Sequence, residues 1–150
     1  MDLRFTAAER AFRDEARAWL EANVPADLPS GDTREGFTLH VAWEKQLFEA
    51  RWAVVSWPEE YGGRGASLVE WLLFEEEYYR ARGPQRVTQN GIFLLAPTIF
   101  EFGTDEQKRR ILRSMAAAEY LWAQGWSEPG SGSDLASVRS KAERAPGGWF

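Results

Sequence analysis

A chain of 150 residues with 44% hydrophobic and 27% charged residues has the composition of a water-soluble globular protein, large enough for one core and the beginning of another. Its net charge of -5 and the lack of any Lys/Arg block argue against a general nucleic-acid surface, yet leave room for a phosphate-bearing cofactor held by local amides. No apolar run approaches the ~20 residues a bilayer requires, the N-terminus mixes acidic residues with Arg and Phe unlike a signal peptide, and the absence of Cys excludes disulfides, thiolate catalysis and Cys-based metal sites. The expectation is a cytoplasmic protein that does not contact membrane. Eight Trp suit either an ordinary core or a core packed against a planar ligand or a sister subunit.

Thr6 and Glu9 make a capping box, and Phe12, Ala16, Trp19 and Leu20 follow at helical spacing up to Asn23-Val24-Pro25. Pro, Gly, Asp and Ser content predicts a loop over 26–36. A second helix is predicted over 38–50, with Val41, Leu47 and Phe48 as its buried face, and His40 at its start as a surface or capping residue. Trp57-Pro58-Glu59-Glu60-Tyr61-Gly62-Gly63-Arg64-Gly65 has too many glycines for a helix.

Ser67 caps a third helix that reaches residue 82 before Gly83-Pro84. Leu68, Trp71, Leu72, Phe74 and Tyr78 make it apolar around much of its circumference, which predicts burial between neighbours. The Glu75-Glu76-Glu77 run reads as a solvated or subunit-facing surface and not a metal site. A fourth helix is predicted over 87–102 despite Gly91 and Pro97, and Thr104 with Gln107 opens a fifth that reaches residue 118.

The texture changes after Glu119. Residues 120–126 form an aromatic-rich run of strand length, a Ser/Gly/Pro loop follows, residues 137–144 alternate modestly, and Pro146-Gly147-Gly148 turns into a strand at Trp149-Phe150. The fold class expected is mainly α: a five-helix bundle-like N-terminal domain over 1–118, then the first strands of a β domain over 119–150. Ending on an unpaired strand suggests truncation.

Chemistry concentrates in Gln124-Gly125-Trp126-Ser127-Glu128-Pro129-Gly130-Ser131-Gly132-Ser133-Asp134. Gly130 and Gly132 permit backbone conformations that expose successive amides, and such nests bind anions or an electron-rich ring edge. Ser127, Ser131 and Ser133 add hydroxyl donors, and Trp126 a flat face. The same composition also suits a plain surface loop between two strands.

The order of residues resembles the first signature of the acyl-CoA dehydrogenase family, with Gly125, Ser127, Glu128, Ser131, Gly132, Ser133, Asp134 and Ser137 in matching places. Trp126 departs from it, standing where the family usually has an aliphatic residue. Residues 57–63 resemble the family's loop between its second and third helices, and Phe102-Gly103-Thr104-Asp105-Glu106-Gln107-Lys108 its "G-T-x-x-Q-K" helix start.

The resemblance implies FAD as cofactor, an acyl-CoA substrate dehydrogenated at its α and β carbons, and an electron-transfer flavoprotein or similar acceptor as partner. It places Gln124, Trp126, Ser127, Gly132 and Ser133 at the flavin, with Ser133 also near the CoA part of the substrate. Glu128 and Asp134 are expected to shape the loop. Asn90 and Leu94 fall where the acyl pocket lining begins, Asn90 hinting at a short, branched or polar acyl group. No metal is implied, and the catalytic Glu belongs to a C-terminal helical domain outside these residues. A homodimer or homotetramer is implied. An acyl-CoA oxidase or flavin monooxygenase of the same fold, or a non-catalytic partner subunit or truncated product, stays open as an alternative.

Overall fold

A computed structural model describes residues 4–150 and contains five α-helices: α1 (Ala7–Asn23), α2 (Arg34–Glu49), α3 (Leu68–Arg80), α4 (Ala96–Phe102) and α5 (Asp105–Ala116). α1, α3 and α5 each begin with a complete capping box, formed by Thr6 with Glu9, Ser67 with Glu70 and Thr104 with Gln107. Each box satisfies two backbone groups at a helix start, which is why these boundaries stand in the sequence itself.

α1 packs along α3, and the core between them is aromatic. Trp52, 1% exposed, stacks on Phe74 of α3 with ring centroids 5.5 Å apart and planes 5° apart. Phe12 of α1 meets its edge at 5.5 Å, and the Arg64 guanidinium lies 3.5 Å from its ring centre. Trp19 stacks on Trp43 at 5.7 Å, and Trp43 donates to the Tyr78 hydroxyl at 2.8 Å. Tyr78 in turn donates to the Pro84 carbonyl at 2.6 Å, and its burial pushes the phenol pKa up.

The pattern fails where polar residues are buried. α2 starts one turn before its predicted boundary, capped by Thr33, whose hydroxyl accepts from Gly36 N at 3.0 Å. Gly36 lies in the first turn of the helix, and only glycine fits there because any Cβ would sit 2.0 Å from the Ser30 carbonyl oxygen. The buried face of α2 is His40, Trp43, Glu44 and Leu47, whereas Val41 and Phe48 are half-buried at its margins. His40 is therefore interior and not a surface residue.

α3 is not enclosed. Leu73, Phe74, Glu77 and Tyr78 face the core, but Leu68 and Leu72 are 73% and 57% exposed. An all-round apolar composition shows that a helix can be buried, not which side its neighbours cover. The three glutamates also diverge. Glu76 is exposed, Glu75 accepts from the Trp71 indole at 2.9 Å, and Glu77 is buried in a two-pronged pair with Arg17, at 2.9 and 2.7 Å.

The predicted fourth helix begins later and is not uniform. Val87 lies outside it because its N–H donates to the Glu44 carboxylate at 2.9 Å. Residues Asn90–Leu95 form a π-helical turn that runs into α4, and Pro97 lies at the junction. The wide turn relieves the clash a proline ring makes with the carbonyl four residues earlier.

Beyond α5 the expected strand over 120–126 is absent, because no segment among the described residues pairs with it. The strand expected from the alternation of residues 137–144 shrinks to its last residue. The hairpin is present: β1 (Arg144–Ala145) and β2 (Gly148–Trp149) pair antiparallel around Pro146-Gly147, and Glu143 and Phe150 exchange both backbone bonds.

Two outcomes follow for stability. Trp52→Ala is expected to cost about 3–5 kcal/mol in chemical denaturation. The Arg17 guanidinium, through its hydrogen bonds, holds the Glu77 carboxyl below its usual value near 4.5. A carboxyl depressed on folding stabilises the fold above that usual value and loses the contribution as pH falls through its folded pKa. The stability gap between the chain and Glu77→Gln, measured by thermal unfolding, is therefore expected to be widest at neutral pH, to narrow as pH falls below that usual value, and to close once the folded carboxyl is protonated.

Candidate functional site

The loop after α5 is organised by a few of its own residues. Glu128 and Ser131 exchange backbone hydrogen bonds at 2.8 and 3.0 Å across Pro129-Gly130. The Ser131 hydroxyl, 5% exposed, donates to the Asp134 carbonyl at 2.9 Å. The Ser137 hydroxyl lies 2.7 Å from that carbonyl and 2.9 Å from Ser131 Oγ, at the end of a short 3-10 turn, Leu135–Ser137. The Glu128 carboxylate reaches across the loop to the backbone N–H groups of Arg139, at 3.0 Å, and Ser140, at 2.5 Å. Hydrogen bonds from Ser140, through its side chain and backbone, and from Arg139 hold its pKa below the usual carboxylate range.

The motif thus divides into two sets. Glu128, Ser131, Asp134 and Ser137 hold the loop together, so Ser131 is not an available donor. Gln124, Trp126, Ser127, Gly132 and Ser133 are all exposed, Trp126 at 65%. Among the described residues neither Ser127 nor Ser133 has a hydrogen-bond partner for its hydroxyl.

The glycines play a different part from the one their flexibility suggests. Neither Gly130 nor Gly132 has a positive φ, and a Cβ on Gly125, Gly130 or Gly132 would meet nothing within 4 Å. Their missing side chains leave the backbone open to an approaching body. Free hydroxyls, open amides and an exposed indole fit the edge of a large planar ligand.

Asn90 and Leu94, the two residues expected to face an acyl chain, are both exposed on the π turn and one turn apart. Between them Phe93 stacks on Trp71 at 6.2 Å, beside an apolar cavity of about 230 Å³ lined by Val55, Trp57, Trp71, Ile92 and Phe93. The link from this turn to the loop is Trp122. A Cβ on Gly91 would lie 2.9 Å from Trp122 Cδ1 and 3.0 Å from Met115 Cγ, so the glycine admits the indole against the turn two residues before Gln124. Sequence reasoning passed over Trp122, whose only signal is its place in the aromatic run. It also passed over Arg86, which donates to Glu44 at 2.7 Å and to the Ala53 carbonyl at 2.9 Å and so fixes the approach to the π turn. No group of His, Asp or Glu among the described residues could hold a metal ion.

Glu128→Ala is expected to abolish protection of the Arg139 and Ser140 amides in hydrogen exchange while leaving the amides of α1 and α3 protected. Retained protection at both loop amides would exclude the bracing role.

The profile of the "Acyl-CoA dehydrogenase, N-terminal domain" matches residues 6–119. "Acyl-CoA dehydrogenase IpdE1" of Mycobacterium tuberculosis is 42% identical over 139 residues, covering 88% of this chain and 36% of that protein. Among solved structures, "Tcur3481-Tcur3483 steroid ACAD" superposes with a TM-score of 0.76 at 35% identity, over 97% of this chain and 38% of that one. The "ChsE4-ChsE5 complex from Mycobacterium tuberculosis" gives 0.71 at 34%, over 97% and 36%. The chain therefore spans little more than a third of the length of these relatives.

Proposed function

The chain belongs to the acyl-CoA dehydrogenase family, and from that premise we propose that it forms the N-terminal part of a FAD-dependent enzyme that dehydrogenates an acyl-CoA thioester. The observation that carries this reading is the division of the 124–137 loop. The residues the family resemblance assigns to the flavin are the ones left exposed and unpaired, while the remaining motif residues brace them.

FAD, when bound, supplies the hydride acceptor for the β hydrogen of the substrate. The Ser127 hydroxyl donates to the ring edge, and Gln124, Trp126 and Gly132 line the ring. Ser133 lies toward the cofactor's phosphates and the CoA portion. Asn90 and Leu94 begin the acyl pocket, and the wide π turn sets their spacing. Positioning of this kind converts an encounter into a near-intramolecular reaction. The proton-abstracting Glu is assigned to a C-terminal helical domain, in the part of the relatives' length that this chain does not span.

The names of two structural relatives, one a steroid enzyme with a two-part name and the other a ChsE4-ChsE5 complex, support a bulky polycyclic acyl group and assembly with a second chain of this family. Those two-chain names also favour a second reading, in which this chain belongs to the non-catalytic partner of a catalytic subunit. Electrons pass to an electron-transfer flavoprotein or similar acceptor. A chain from a structure named for the electron-transferring flavoprotein of Acidaminococcus fermentans superposes with a TM-score of 0.63 at 26% identity, which supports an acceptor of this kind. A cytoplasmic location completes the reading; no described helix is long and apolar enough to cross a membrane.

The test is anaerobic titration of the complete protein with a panel of acyl-CoA thioesters, followed by flavin bleaching. Bleaching by at least one thioester is expected. Bleaching that requires an added second subunit, or a complete protein that binds no flavin, would select the partner reading over the dehydrogenase one. The 150 residues alone are expected to retain FAD weakly or not at all, and a micromolar Kd for the isolated chain would contradict that.

A further inference from the structure

The run 120–127 carries Gln124, Trp126 and Ser127, yet among the described residues it makes no hydrogen bond. The chain leaves α5 through Ala118, whose φ of 52° turns it, and the Glu119 N–H closes on the Ser114 carbonyl at 3.0 Å. The next backbone bond is at Glu128, where the braced loop begins. Between these points one side chain packs against the core, that of Trp122. Residues 123–127 are exposed, so the segment expected to line the flavin departs from this indole.

The indole rests on the π turn. Gly91, buried, presents bare backbone: a Cβ there would lie 2.9 Å from Trp122 Cδ1, and 3.0 and 3.1 Å from Cγ and Sδ of Met115. The N–H groups of Gly91 and Ile92 both donate to the Thr88 carbonyl at 3.0 Å, which fixes the start of the turn. Asn90 precedes Gly91 in the chain, and Leu94 lies three residues beyond it. One contact thus joins the residues expected to line the acyl chain to the segment expected to line the flavin. The indole Nε1 is buried with no hydrogen-bond partner among the described residues, so ring shape and close packing hold this contact.

We propose that Trp122 is a positioning residue for the dehydrogenation: its ring, seated on Gly91, sets the distance between the acyl chain and the flavin. The inference rests on the acyl-CoA dehydrogenase reading and deepens it. The reaction keeps its balance, the β hydrogen leaving as hydride to the flavin, which is reduced, and the α proton passing to the Glu of the C-terminal domain. Transfer between held groups falls steeply with misplacement, by about a hundredfold for about 1 Å. Affinity, spread over the whole thioester, does not.

The experiment uses the complete flavin-loaded protein and the acyl-CoA thioester that bleaches its flavin fastest. Single-turnover reduction is measured per bound flavin at saturating thioester, and calorimetry gives the Kd of an analogue without β hydrogens. Trp122→Ala is expected to slow reduction about tenfold or more with Kd changed less than about threefold. In the flavin-free protein it is expected to remove hydrogen-exchange protection from the Ile92 amide. Trp122→Phe keeps a ring against Gly91 and loses only an unpartnered N–H, so it is expected to recover most of the rate. Gly91→Ala, which drives the indole off the turn, is expected to match Trp122→Ala and to add little to it in the double variant. Should Trp122→Ala not fold, Gly91→Ala carries the same comparison. An unchanged rate per bound flavin, a loss carried by Kd or flavin content alone, or retained protection at Ile92 overturns the positioning role and leaves the dehydrogenase reading intact. Bleaching of the unmodified protein by no thioester removes that reading, and this inference with it.

Discussion

The helical part of this protein depends on what surrounds one indole. Trp52 is reached from α2 through Arg51, which turns the chain with a φ of 62°, and the Trp52 N–H then closes on the Leu47 carbonyl at 2.7 Å. Its ring is held between Phe74 and Phe12, under the guanidinium of Arg64. Arg64 also donates to the Arg51 carbonyl and pairs with Glu15 of α1 at 2.9 Å. One desolvated ring thereby unites α1, the exit of α2, α3 and the 57–65 loop. Aromatic area, ring geometry and a cation–π contact act on the same atoms.

Buried polar residues then fix register where the apolar core does not. Glu44, 1% exposed, receives Arg86 and the Val87 N–H, and Glu77 receives Arg17. Desolvated carboxylates are costly unless partnered, so alternative packings that separate these groups are strongly disfavoured. The consequence for function is positional. Glu44 and His40, one helical turn apart on α2, hold the segment that launches the π turn, on which Asn90 and Leu94 sit.

The Ser/Gly loop combines two tasks in one short motif. Glu128, Ser131 and Ser137 direct their polar groups inward, and this bracing leaves Ser127 and Ser133 outward and unpaired. A composition of Ser and Gly alone describes any surface loop, whereas the order of residues decides which hydroxyls are consumed internally. Most of the eight Trp serve the core, and Trp126 and Trp149 stand exposed.

Helix existence was legible in the sequence because it is set locally. Capping boxes at Thr6 and Thr104, Ser67 as a cap and the Pro146-Gly147 turn involve residues three or four apart, and all appear where expected. The family motif was legible for the same reason, since its bracing bonds span a dozen residues at most. The burial of His40, Glu44 and Glu77, the open face of α3 and the approach of Trp122 to Gly91 were not legible. Each depends on a partner contributed by a distant segment or on which face a neighbour covers, and hydrophobic periodicity carries no information about either. The sequence by itself determined where the helices and the final hairpin form and which loop bears the family motif, because both are set by residues close along the chain; only tertiary contact decided which polar groups are buried and paired and which stay exposed, because their partners come from distant segments.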